Sequence, residues 1–284
     1  MRSFFIGGIA LSVALCAGPA LAWWDEGHFR VAAMAYEQLT PAARAEANRL
    51  IRLNPKYQEW VAAVPTPPDG SAKDVDRYAF IRAAVWADDI KEMKEYRDAS
   101  NAAKDSATHP KAGQNIGYDD LLIHAYWHYK DIPFSTDGTP LGEADPVNAV
   151  TQIKAFSAAL PKAAGHPENV RSFDLVWLLH IVGDVHQPLH ATARFTKELR
   201  LKYQLSASSD LGDRGGNDVM VSPATGETMA LHAYWDGMFG RYSTVYGAIF
   251  DSFVVKKVSG AEKNISKLLP PPAEKAAVSD HYLR

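Results

Sequence analysis

Cysteine is almost missing from this 284-residue chain: there is one, Cys16. It sits in the opening segment MRSFFIGGIALSVALCAGPALA, so residues 23–284 can form no disulfide and no cysteine-built zinc site. An excess of positive charge is missing too. Thirty Lys and Arg face 33 Asp and Glu, a net charge of −3. That excludes a protein that grips nucleic acid through a basic face, so a polyanionic substrate would need positive charge from another source. A membrane-length apolar run is also absent. The run from Phe4 to about Ala17 falls short of the roughly 20 residues a span needs. No repeat period or long low-complexity stretch appears, which argues against solenoids and arrays.

What is present begins with a leader. Arg2 supplies a basic start, an apolar run follows, and Ala20-Leu21-Ala22 has the small-x-small form of a signal-peptide cleavage site. Residues 1–22 are therefore expected to be removed between Ala22 and Trp23, giving a secreted or periplasmic protein. Arg2 leaves with the leader and the charge becomes −4, from 29 basic and 33 acidic residues. The mature chain would open on a tryptophan, an odd residue for a frayed end unless something ties it down.

Helical patterns dominate the remainder. Phe29 to Leu39 is amphipathic. Thr40-Pro41 reads as an N-cap with proline in the first turn, opening a helix to about Leu53. Long helices are predicted over Asp74 to Met93, from the Asp145-Pro146 cap to about Leu160, and over Asn169 to Val185. VMVSPATGETMAL alternates around Thr225-Gly226 as a small hairpin and feeds a helix from about Ala230 to Phe239. The expected fold is mainly α: one helical domain over residues 23–284 with a small β-hairpin.

All ten histidines lie beyond the leader, many near carboxylates. In LLHIVGDVHQPLH, His180 and Asp184 are four apart, which on a helix places both on one face. His232 and Asp236 repeat the spacing in LHAYWD. One such pair is as readily a satisfied His–Asp hydrogen bond as a metal site, but two pairs together favour metal, because Asp is seldom buried unless paired or ligating. Pro188 argues against regular helix between His186 and His190. Of Asp88 and Asp89, one should face the core and the other solvent. His124 reads as a core or surface histidine, and His109, His166 and His281 as solvated. Nitrogen and oxygen donors without sulfur suit zinc in hydrolytic work. More ligands than one tetrahedral ion needs suggest a multi-metal site, the arrangement that supplies a metal-bound hydroxide and stabilises attacking and leaving oxygens in phosphoester cleavage.

The ordered motifs WWDEGH, WAD, WHYKDIP, HIVGDVHQPLH, GGND and LHAYWD resemble the zinc-dependent single-strand nucleases: nucleases S-one and P-one, mung bean nuclease and the plant bifunctional nucleases. The resemblance runs from Trp23 to about Phe239. It implies a helical domain of the phospholipase C and P-one nuclease type holding three zinc ions. One would take Asp88, His128, His180 and Asp184. A second would take His190, His232 and Asp236. The third would take His28, Asp184 as a bridge, and the amino nitrogen and carbonyl oxygen of Trp23, which would explain the tryptophan at the seam. It further implies a base pocket in which Tyr129 stacks, Asp131 and Asn217 bond the base edge and Gly215 allows close approach. Lys91 matches a lysine near the phosphate, although as a residue it reads equally as a solvated lysine at a helix end. Asp88, Asp184 and Lys91 would carry the catalysis. The implied activity is cleavage of single-stranded RNA and DNA to 5'-phosphorylated products, with 3'-nucleotidase activity, by a monomer with no stable membrane association. Six positive charges from three zincs against three from Asp88, Asp184 and Asp236 would make the site net positive inside an acidic protein.

The chain departs from that family in three ways. It has Trp24 where a small residue is usual, it lacks the disulfides of eukaryotic members, and it stops at His281-Tyr282-Leu283-Arg284, about where a further C-terminal helix is expected to begin. Two other functions compete. A zinc-dependent phospholipase C also uses an N-terminal Trp, but ends its ligand set with His-x-x-x-Glu where this chain has His-x-x-x-Asp. A non-catalytic periplasmic zinc-binding protein would need the ligands but not Tyr129, Asp131 or Asn217.

Overall fold

A computed structural model describes residues 23–64, 73–101, 103–202, 212–223, 227–240 and 244–250. The expected leader (residues 1–22), the expected turn at Thr225-Gly226, His281 and the last residues lie outside the described residues. Among the described residues no helix is long and apolar enough to cross a membrane.

Helix α1 (Asp25–Gln38) starts four residues before the apolar pattern does, because Asp25 and Glu26 favour the positive end of the helix dipole. It buries Phe29, Ala32, Ala33 and Tyr36, one face at helical spacing. Helix α2 (Pro41–Ile51) begins as expected, with Thr40 Oγ1 accepting the Ala43 amide at 3.3 Å. Helix α3 (Tyr57–Ala62) follows.

The long helix predicted over Asp74 to Met93 is instead two, α4 (Val75–Ala83) and α5 (Trp86–Asp89). The physical reason is visible at the break. The Asp88 amide turns to the Val85 carbonyl at 3.1 Å, and the Ala84 carbonyl is taken by His180 Nδ1 at 2.7 Å. A side chain inserted into the backbone ladder is an ordinary cause of a helix break. This break aims Asp88 at the site.

Helix α6 (Lys94–Ala99) precedes a long irregular stretch that ends in a 3-10 turn, Ala125–Trp127. Helix α7 (Ala149–Ala159) is capped not by Asp145 but by Asn148, whose side chain accepts the Val150 and Thr151 amides while Thr151 returns a bond to the Asn148 amide. A complete capping box satisfies two orphan donors at once and so moves the start. Helix α8 (Glu168–Asp184) matches its prediction within a residue at each end.

Two strands were not foreseen. β1 (Ile132–Ser135) pairs in parallel with β2 (Thr192–Phe195), with Ile132 opposite Thr192. Pro133 lies within β1, where proline is tolerated because no ladder donor is needed. Helix α9 (Lys197–Lys202) follows β2. The predicted hairpin is present as antiparallel β3 (Met220–Val221) and β4 (Met229–Ala230). Helix α10 (Leu231–Asp236) tightens into a 3-10 turn over Gly237–Phe239, and α11 (Val245–Phe250) packs on α1.

The core is aromatic. Trp177 on α8 lies 4.9 Å from Trp127 and 6.3 Å from Trp86, ring centre to ring centre, with Phe173 and Phe156 beside them. Helix α8 packs against α1, α2, α5 and α7. Its middle is embedded in apolar side chains and its last turn delivers His180 and Asp184 to the site.

Candidate metal centre

Three backbone carbonyls aim three of the imidazoles. His180 Nδ1 donates to the Ala84 carbonyl at 2.7 Å, His190 Nδ1 to the His128 carbonyl at 2.8 Å, and His232 Nδ1 to the Gly215 carbonyl at 2.7 Å. A carbonyl can only accept, so each ring carries a proton on Nδ1 and turns Nε2 inward, with its lone pair free when the ring is neutral. That is the tautomer and the outer support of a metal-ligating histidine.

Around Asp184, fully buried, the rings converge. Asp184 Oδ2 is 2.9 Å from His128 Nδ1 and 3.3 Å from His180 Nε2, and Oδ1 is 3.2 Å from His28 Nε2. The rings of His28 and His180 stack at 3.9 Å. Asp88 Oδ1 is 3.6 Å from His180 Nε2 and 3.9 Å from His128 Nδ1. Lys91 is no solvated lysine: it is 8% exposed and donates to Asp88 Oδ1 at 2.6 Å. Asp89, half-buried, pairs outward with Arg82.

The second cluster faces Asp236. His190 Nε2 and His232 Nε2 stand 3.0 Å apart, and Asp236 lies 3.7 Å from His232 Nε2 and 4.0 Å from His190 Nε2. Sequence reasoning missed Gln187. It is fully buried, donates to Asp236 Oδ1 at 2.7 Å, and accepts the Leu189 amide with its own oxygen. Its place inside HQPLH, between ligand candidates, was the signal.

Burial pushes the histidines toward neutrality: His28 and His232 are lowered, His190 falls to about 4, and His128, with Lys91 adding to burial, to about 3. For His180 burial also pulls down, but the Asp184 and Asp88 carboxylates outweigh it and the value is raised. Burial works to raise Asp88 and Asp184, yet Lys91 and the imidazoles hold Asp88 low and the imidazoles hold Asp184 low. Asp236 is different. Burial pushes it up to about 8, only partly opposed by Gln187.

These values bear on whether the residues fit a metal. Burial favours the uncharged form of both His190 and His232, and in that form two Nε2 lone pairs face each other at 3.0 Å. A cation between them turns that repulsion into ligation. Candidate ligand atoms lie within 4.8 Å of one another in three groups: His28, Asp88 and His180; His128, His180 and Asp184; and His190, His232 and Asp236. The last matches the expected trio. Of the remainder, His28 approaches Asp88 and His180 as well as Asp184. Trp23 is buried beside them, its indole Nε1 donating to the Gly183 carbonyl at 2.9 Å.

The pocket candidates share backbone with the ligands. Tyr129 and Asp131 follow His128 directly, and the Lys130 amide bonds the His190 carbonyl at 2.8 Å. Tyr129 is half-buried and its hydroxyl donates to Asp145 Oδ2 at 3.3 Å. Burial, then Asp145 and Asp213, push Asp131 up to about 7. Asn217 is half-buried and donates to the Arg214 carbonyl at 2.8 Å. Gly215 has φ +61°, and a Cβ there would lie 2.2 Å from the Leu189 carbonyl oxygen, so this glycine is demanded by the protein's own backbone as it turns its carbonyl to His232.

Other histidines stay apart. His124 is a core histidine with φ +51°, stacked on Trp127 at 3.6 Å and 3.0 Å from Asp120. His166 and His186 are exposed, and His109 is half-exposed.

A comparison with curated proteins finds no match. The chain does match the sequence model described as S1/P1 Nuclease over residues 23–267. That span begins at Trp23 and contains every candidate ligand and pocket residue described above. With most of the chain matched and with a mainly helical fold that gathers these histidines and carboxylates, the protein belongs to the S1/P1 nuclease family, hydrolases that act on nucleic acid.

Proposed function

We propose that this chain is a secreted, zinc-dependent nuclease that cleaves single-stranded RNA and DNA to 5'-phosphorylated products and removes phosphate from 3'-nucleotides. The observation that carries the metal reading is the approach of His190 Nε2 to His232 Nε2 at 3.0 Å, each ring held at Nδ1 by a backbone carbonyl, beside the buried Asp236 carboxyl. Three zincs are assigned. Asp88, His128, His180 and Asp184 hold one. His190, His232 and Asp236 hold the second. His28, Asp184 and the freed terminus of Trp23 hold the third, which requires removal of residues 1–22. Zinc, when bound, supplies Lewis-acid charge at the scissile phosphate and activates water.

The chain's own groups do the rest. Lys91, buried against Asp88, keeps that carboxylate ionised and adds positive charge where phosphate must sit. Tyr129 offers a ring to a base, and only an unpaired base can stack there, which gives the single-strand preference. Asp131, poised near neutrality, can donate to or accept from the base edge. The test combines zinc counting on protein processed to Trp23 with hydrolysis of single-stranded and duplex oligonucleotides and of a 3'-nucleotide. Activity on single strands that disappears with chelation and returns with zinc is expected. A zinc-free protein with full activity would refute the reading.

A further inference from the structure

The amino-terminal residues do more than approach the site. Residues 23–26 key into residues 237–240, the turn that directly follows Asp236. The Trp23 ring lies 4.6 Å from that of Phe239. The Trp24 amide donates to the Asp236 carbonyl at 3.0 Å. A Cβ on Gly237 would lie 2.7 Å from Trp24 Cζ3 and 2.9 Å from Cη2. A Cβ on Gly240 would overlap the Glu26 carboxylate, and one on Gly27 would lie 2.6 Å from Trp23 Cβ.

Gly237 is the informative position. Its φ of −82° and ψ of 1° suit any residue, so the backbone does not ask for glycine. The Trp24 ring does. Seated there, the ring covers the end of α10, the six-residue helix that carries both His232 and Asp236. A helix this short has little stability of its own and takes its position from its packing. Gln187 fixes one oxygen of Asp236 from the α8 side, and the Trp24 amide fixes the backbone of the same residue from the α1 side.

We propose that Trp24 is a positioning residue: seated on Gly237 and bonded to the Asp236 backbone, it holds the end of α10 so that Asp236 faces His190 and His232. The proposal rests on the zinc reading above but concerns a residue that is no ligand there. In this chain the large residue and the glycine form a matched pair.

The test uses the processed chain and four variants: Trp24→Gly, Trp24→Phe, Gly237→Ala, and Trp24→Gly with Gly237→Ala. Zinc is titrated against a competing chelator, and folding is followed by circular dichroism and melting of the metal-free protein. Trp24→Gly should weaken one zinc by about 10–100-fold, the usual effect of removing a group that supports a ligand, and leave the others unchanged. Trp24→Phe should recover part of the loss because a ring still covers Gly237. Gly237→Ala should weaken the same zinc in the wild-type background. In the Trp24→Gly background it should do no further harm, because the space is free. Equal zinc affinity in wild type and Trp24→Gly overturns this inference alone, and so does a Gly237→Ala effect of the same size in both backgrounds. A wild-type chain that binds no zinc overturns the metal reading and this inference with it.

Discussion

Replacing Asp184 by asparagine removes a negative charge and almost no volume. In the fold that charge serves two directions at once: Oδ1 faces His28 at 3.2 Å, and Oδ2 faces His128 at 2.9 Å and His180 at 3.3 Å. At an effective dielectric of about 20, a carboxylate at roughly 4 Å is worth about 4 kcal/mol against each unit of positive charge. Taking only that single-charge figure as the surviving part, zinc affinity should fall about a thousandfold, since 1.4 kcal/mol is tenfold. The loss should strike the groups that share Asp184 and spare the one built from His190, His232 and Asp236. Side-chain shape is preserved, so Asp184→Asn should keep its circular dichroism spectrum. The assay is zinc per chain in metal buffers by mass spectrometry of the element, beside turnover on a single-stranded oligonucleotide. Full zinc content with near-normal turnover would refute the assignment of Asp184 as a shared ligand.

Tyr129→Ala should raise KM for oligonucleotides by the loss of roughly 1–3 kcal/mol of stacking per base, with zinc content unchanged; an unaltered KM would remove Tyr129 from the pocket. Asp131 is raised to about 7 by burial and its carboxylate neighbours. A carboxyl raised on folding favours the folded state below its unfolded value and loses that contribution as pH rises through the folded one. Asp131→Asn should therefore be close to neutral at pH 4 and stabilise the protein by on the order of a few kcal/mol at pH 8, read by urea unfolding at both pH values. A form carrying an added methionine before Trp23 should fold and hold about two zincs instead of three, because an amide nitrogen is a poor donor. Three zincs and full activity in that form would show that the terminus is no ligand.

Much of the site was legible because helical spacing is a strong constraint. His180 with Asp184 and His232 with Asp236 each sit one turn apart, and no tertiary information is needed to place each pair on one face. Local chemistry likewise set the Thr40-Pro41 start of α2, and Pro188 keeps regular α-helix from running on to His190. What remained hidden depended on groups far apart in the chain. The helix expected across Asp74 to Met93 breaks because His180, 96 residues beyond Ala84, takes the Ala84 carbonyl. Asn148 overrides Asp145 as a cap because only it closes a reciprocal bond with Thr151. Lys91 read nearly as readily as a solvated lysine as one near a phosphate, since burial is not a local property; the fold buries it against Asp88. The parallel pairing of β1 with β2, the Gln187 bond to Asp236 and the seating of Trp24 on Gly237 each join segments about 50 or more residues apart. Sequence alone determined which side chains could ligate and on which local faces they lie. The tertiary structure decided which of them meet, which proton each imidazole keeps and which carboxyl is left short of a counter-charge, because those depend on burial and on carbonyls that only the folded chain brings near.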